Sequence, residues 1–412
     1  MNTPGFEAPT TVRQEPQRNA NCAYLCATCF EEAVRISCRL VIAVALVFDF
    51  ACGGATNQVA PSAPTADFAC AGAMAQSGSP APGTMAGSRN PLTWPFAQNS
   101  IWNQPIGSSA LCADAGFTAA SNISVDEDWW IVTSSSDPVT NVYNPNSWTQ
   151  RCGGTVWNST TYFPAALLVP DAQPPNTPNY ASAILQPDGR SIQQYEPTAR
   201  CAAGGPLFGY QAPTVDIYGD GTLGGHFGSG LSSIGGTIRV GELAPTAGAI
   251  HHALKLEAWA QKYYYYSSSR PGFRWPAIEA DDYAANQYHG TNPALTEGSL
   301  LVIPSTVDIS SLGLATDAAR KIALALQDYG GYIVDDTAWD DFGVCTEINP
   351  SSSVRAEFYA NYGYQIDDQG TPFFTDLNTI FAALKVVDNN GPDSVGGGGT
   401  PLVPLAPPIS PP

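Results

Sequence analysis

The chain has 412 residues, with 17 basic against 36 acidic side chains and a formal net charge of −19. From Arg89 onward 13 basic and 30 acidic residues remain, a charge near −17. That sign excludes gripping nucleic acid or an anionic membrane through a basic face, and it weighs against a strongly anionic polysaccharide. Only 13% of residues are charged, beside 39 Gly, 35 Pro, 18 Tyr and 9 Trp, a composition that favours strands and turns over helix bundles.

In chain order, residues 1–33 precede a segment with the layout of an export signal. Arg35 and Arg39 lead into the apolar run LVIAVALVF at 40–48, closed by Asp49. This run is far shorter than the roughly 20 residues that span a bilayer, and it suits the core of a signal peptide. Residues 34–52 resemble the export signal of bacterial lipoproteins, with Ala51-Cys52-Gly53 at the processing point, although Asp49 and Phe50 depart from that family's aliphatic pattern. The resemblance implies export and lipidation of Cys52. A start at Val34 gives the signal a normal n-region, so residues 1–33 are not expected in the natural product. Cys22, Cys26, Cys29 and Cys38 have partly zinc-like spacing but no accompanying fold.

Residues 53–90, poor in large apolar groups, read as a flexible tether, and a single domain is expected over 91–394. Short apolar or aromatic runs at 128–134, 155–160, 166–170, 182–189, 237–243 and 250–260 alternate with Gly/Pro/Asn clusters, the rhythm of an all-β sandwich or jelly roll. Residues 298–304 predict a buried strand. Thr316 then caps a helix with Ala319, Ile322, Ala323 and Leu326 on one face and Gly330 as its stop. A strand at 331–335 completes a strand-helix-strand unit, a shorter helix is expected near 375–387, and the Gly/Pro-rich tail 395–412 reads as extended surface chain.

Four cysteines in the predicted domain, Cys112, Cys152, Cys201 and Cys345, imply two disulfides with three pairings open, leaving Cys70 in the tether unpaired.

GDGTLG at 219–224 matches a dinucleotide-loop pattern, but the glycines that follow deny it a helix N-terminus, and no nucleophile elbow is present. The densest polar cluster, 216–257, holds His226, His251, His252, Arg239 and Glu242. Strand alternation turns His252 inward and His251 outward, and separates Arg239 from Glu242 unless Gly241 makes a bulge. The run GGTIRVGELAPTAGAIHHALKLE resembles one shared by secreted bacterial proteins, which implies only that 219–347 behaves as one unit. Asp335, Asp336, Asp340 and Asp341 surround Trp339 and suit either an acid/base role or calcium, the single cofactor the sequence suggests; each also reads as a turn cluster on an acidic surface.

Six tryptophans crowd 94–157, where they serve a core or stack on sugars, and adjacent Trp129 and Trp130 are expected to leave one ring exposed. The same alternation applies to tyrosines 263–266. The expected function is action on an extracellular or cell-envelope glycan, foremost hydrolysis of a neutral polysaccharide. Glu242 and Asp336 form its carboxylate pair and His252 tunes one of them, with Arg239 and His226 as further catalytic candidates. Trp130, Tyr264 and His251 are the expected substrate contacts. A non-catalytic glycan-binding lipoprotein, a polysaccharide lyase and a structural envelope protein are the alternatives, with membrane contact only through a lipid anchor.

Overall fold

A computed structural model describes residues 68–71, 83–174 and 177–410, all within the compact unit Ala63–Pro412. Residues 1–33, the export segment and Cys52 lie outside the described residues. The protein is mainly β, as its composition predicts. Its strands are β1 (Phe68–Ala69), β2 (Leu111–Asp114), β3 (Asn122–Val132), β4 (Val139–Tyr143), β5 (Trp157–Tyr162), β6 (Ser182–Leu185) and β7 (Ser191–Ala199). They continue as β8 (Leu207–Asp216), β9 (Leu223–His226), β10 (Leu254–Ala258), β11 (Leu300–Val302), β12 (Gly331–Asp336), β13 (Asp341–Ile348) and β14 (Lys385–Val387). All but β9 join one mixed sheet in the order β1-β2-β14-β11-β12-β10-β13-β3-β6-β7-β8-β4-β5.

The strand-helix-strand unit is present: β11 leads to a helix at Asp317–Asp328, which returns into β12 beside it. Thr316 caps that helix by accepting the Ala319 N–H, and Gly330 turns the chain out of it at φ 76°. A second helix, Pro372–Ala383, covers most of the span expected near 375–387, and Thr371 caps it by accepting the Phe374 N–H. A third, Val354–Tyr362, is capped by Ser353.

Both sheet faces are covered. The side chains of Leu256, Ile333, Phe342 and Val344 pack with Ile322, Phe358 and Phe381 of the helices. On the opposite face Trp130, Tyr332, Val334 and Cys345 meet Trp102, Leu231 and Ile234. Trp129 and Trp130 are therefore both buried, at 5% and 4% exposure, which corrects the expectation of one exposed ring. Alternation fails at the tyrosines for another reason. Ala260–Tyr263 is a helical turn, so neighbouring Tyr263 and Tyr264 are both buried.

Four further expectations are revised. Residues 166–170 and 237–243 contribute isolated bridges, Val169 to Arg200 and Ile238 to Thr346, instead of regular strands. The tether is structured where it is described: Phe68 pairs with Cys112, and Cys70, not Cys345, bonds Cys112. Cys152 bonds Cys201, and Cys345 is a free, buried thiol on β13. Finally, the tail is docked. Prolines lack N–H donors but keep carbonyls, and buried Arg89 donates to those of Pro407 at 2.8 Å, Trp94 at 2.7 Å, Pro95 at 2.8 Å and also Phe96.

Candidate functional site

A cleft of about 240 Å³ opens between Trp94 and the turn 239–242, lined also by Thr93, Ala247, His251 and His252. The turn forms because Gly241 adopts φ 99°, a conformation that other residues rarely take, and the Glu242 N–H donates to the Arg239 carbonyl at 3.1 Å. Arg239 and Glu242, which a regular strand would separate, thereby meet: the Arg239 N–H donates to Glu242 Oε2 at 2.7 Å. Glu242 also holds His252, whose Nε2 lies 3.1 Å from Oε1. The other ring nitrogen of His252 is 2.8 Å from the Ala253 carbonyl, so both nitrogens face acceptors, an arrangement that favours the imidazolium form.

Burial opposes charge on both partners, yet mutual attraction outweighs it. Burial pulls His252 down, but the Glu242 carboxylate raises it above its ordinary value overall. Burial lifts Glu242, and the His252 charge brings it below the usual carboxylate range. His251 is half-buried and stacks on Trp94, with ring centroids 5.9 Å apart. Burial and then the His252 charge depress His251. The Arg239 guanidinium pairs with Glu347 at 2.7 Å and lies over the Trp130 ring.

Two expected members of this site stand elsewhere. Asp336 lies opposite Ala258 at the end of β10, whereas His252 precedes Leu254 at its start. The strand between spans about 13 Å at roughly 3.3 Å per residue, so Glu242 and Asp336 are not a catalytic pair. Asp336 instead accepts the N–H groups of Ala260 at 2.8 Å and Ala338 at 2.9 Å. Tyr264 is wholly buried, its hydroxyl donating to the Asp335 carbonyl at 2.8 Å. Trp130 is sealed beneath Arg239, so both rings are buried away from the cleft surface.

The four carboxylates near Trp339 share no centre. Asp340 turns to Ser121 at 2.7 Å, Asp341 to the Trp339 indole N–H at 3.2 Å, Asp336 to the backbone, and Asp335 toward His226. Burial pushes Asp341 up to about 7.

His226 belongs to a different and unforeseen feature, a charged layer inside the molecule. The pleat sends Asp126 and Asp128 of β3, Lys255 and Glu257 of β10, and Cys345 of β13 to one sheet face, where all are buried. His226 covers this layer from β9, with Nε2 3.1 Å from Asp128 Oδ1. Lys255 pairs with Asp128 at 2.7 Å and donates to the carbonyls of Ser232 and Ser233, each at 3.1 Å. Asp128 accepts the Thr237 hydroxyl at 2.6 Å. Burial raises Asp128, but the charges of Lys255 and His226 bring it below its usual value. Glu257, without a cation of its own, is pushed well above it by burial and by Asp126. The legible signal was a charged residue at every second position, Asp126/Asp128 and Lys255/Glu257, inside strands that also supply core residues.

No family model, curated protein or solved structure matches this chain.

Proposed function

We propose that the protein works outside the cytoplasm and holds a neutral glycan in the cleft between Trp94 and Glu242. The observation that carries this reading is the pairing of an aromatic wall, Trp94 stacked with His251, with the ionised His252–Glu242 couple on one cleft of about 240 Å³. Aromatic faces stack on the C–H faces of sugars, while a charged donor and acceptor read their hydroxyls. Hydrolysis requires two carboxylates roughly 5–9.5 Å apart. Glu242 is the single carboxylate among the residues lining this cleft, so binding is the reading advanced. Two disulfides and the lipoprotein-like segment support the compartment.

A second reading, elimination from a uronic acid, is favoured by one observation: Arg239 lines the cleft beside His252 and would supply the cation that neutralises a sugar carboxylate. A panel of neutral and uronate-containing polysaccharides separates these readings. Calorimetric binding of a neutral glycan without products, weakened at least tenfold in Trp94→Ala, supports the first. New reducing ends support hydrolysis, unsaturated uronate products support elimination, and no binding to any glycan defeats all three. Membrane fractionation of Cys52→Ala tests the lipid anchor, which predicts release of the protein.

A further inference from the structure

We propose that His226 Nδ1, with the carboxylates of Glu196 and Asp335, forms a binding site for a divalent transition-metal cation, with zinc as the reference ion. The three side chains come from β7, β9 and β12. Their ligand atoms lie within 4.8 Å of one another, and all three residues are buried. His226 Nδ1 is 3.9 Å from Asp335 Oδ2, too far for a hydrogen bond but shorter than the roughly 4.2 Å sum of two metal–ligand bonds.

Two unpartnered atoms point to a missing cation. His226 Nδ1 and Glu196 Oε1 are both buried with no hydrogen-bond partner among the described residues, in residues of 0% exposure. Buried polar atoms are normally satisfied, and an orphaned nitrogen beside an orphaned carboxylate oxygen is what one cation would satisfy together. The ring's orientation fits as well. With Nε2–H donating to Asp128, a cation at Nδ1 would displace any proton held there and find the ring already positioned, the arrangement in which a carboxylate orients a metal-bound imidazole.

The carboxylates are oriented in the same way. The Phe227 N–H donates to Glu196 Oε2 at 2.6 Å, and Asn179 Nδ2 donates to Asp335 Oδ2 at 2.9 Å. One imidazole with two carboxylates suits zinc or its first-row neighbours better than calcium, which prefers an all-oxygen shell. The Nε2 side offers Asp128 and Cys345 instead. That nitrogen already serves Asp128, and the Cys345 thiol donates to Glu257 Oε1 at 3.3 Å. Asp335, whose side chain is 10% exposed, marks the route by which an ion enters.

The test treats the purified full chain with a chelator, then titrates it with zinc chloride by calorimetry and with cobalt(II) by visible absorption. The expected result is one zinc per chain and a higher melting temperature. The cobalt adduct should lack a thiolate charge-transfer band. Glu196→Gln should weaken zinc binding at least tenfold while Cys345→Ser leaves it unchanged. The proposal is overturned if the wild-type chain takes up no stoichiometric zinc, if Glu196→Gln binds as wild type does, or if a thiolate band appears and vanishes in Cys345→Ser. Should Glu196→Gln not fold, the wild-type stoichiometry and cobalt spectrum decide.

Discussion

Lys255 of β10 and Asp128 of β3 meet at 2.7 Å on the same face of the sheet, across β13, and neither side chain has any contact with solvent. All three ammonium protons of Lys255 have acceptors, in Asp128, Ser232 and Ser233. Removing one member of a buried pair strands the other charge, which typically costs about 3–5 kcal/mol. Lys255→Met should therefore lower unfolding free energy by about that amount in urea titration, and Lys255→Met with Asp128→Leu should recover part of it. A double variant as unstable as the single one would show that the pair's partners, not its stranded charge, carry the cost.

The His252–Glu242 couple predicts a pH window. His252 is raised above its ordinary 6.5 in the folded state, so its contribution is full below 6.5 and is lost as pH rises through the folded value. Glu242 is lowered from 4.5, so its contribution is present above 4.5 and is lost as pH falls through the folded value. The couple is strongest between the two. Glu242→Gln should cost on the order of 1 kcal/mol near pH 5.5 and less at pH 9, measured as the difference in stability from the unmutated chain. A cost independent of pH would contradict the ion pair.

Asp341 gives the opposite sign. Its carboxyl is raised from 3.8 to about 7 by burial, and its Oδ1 has no hydrogen-bond partner among the described residues. The folded protein thus holds a proton that the unfolded chain releases, and stability falls as pH rises from about 3.8 to about 7. Asp341→Asn removes that penalty. It should be more stable than the unmutated chain at pH 8, by on the order of 2 kcal/mol, and equal to it near pH 3.5. Equal melting temperatures at both pH values would count against a buried, protonated Asp341.

The thiols divide cleanly. Under non-reducing peptide mapping, Cys70 should be found joined to Cys112 and Cys152 to Cys201, while Cys345 should react with alkylating reagent only after unfolding. Cys152→Ser with Cys201→Ser should cost about 2–4 kcal/mol, the usual range for a bridge closing a loop of some tens of residues. Rapid alkylation of Cys345 in the native protein would contradict its burial.

Local chemistry determined much of this protein directly from sequence. Thr316, the apolar face of the following helix and Gly330 specify a helix whatever surrounds them, because capping and 3.6-residue periodicity act within a few residues. Short apolar runs bounded by turn residues likewise announced β3, β6 and β11. Strand alternation failed where a neighbouring glycine or turn replaced the strand, as at Arg239–Glu242, and that failure built the cleft. Exposure was not legible, since Trp129 and Trp130 face opposite sides of a sheet that is covered on both. Nor was convergence: Asp336 and His252 are drawn to opposite ends of β10, while His226 and Asp128, separated by 98 residues, are brought to 3.1 Å. Those outcomes depend on strand order, and strand order follows from long-range pairing that no short window of sequence contains.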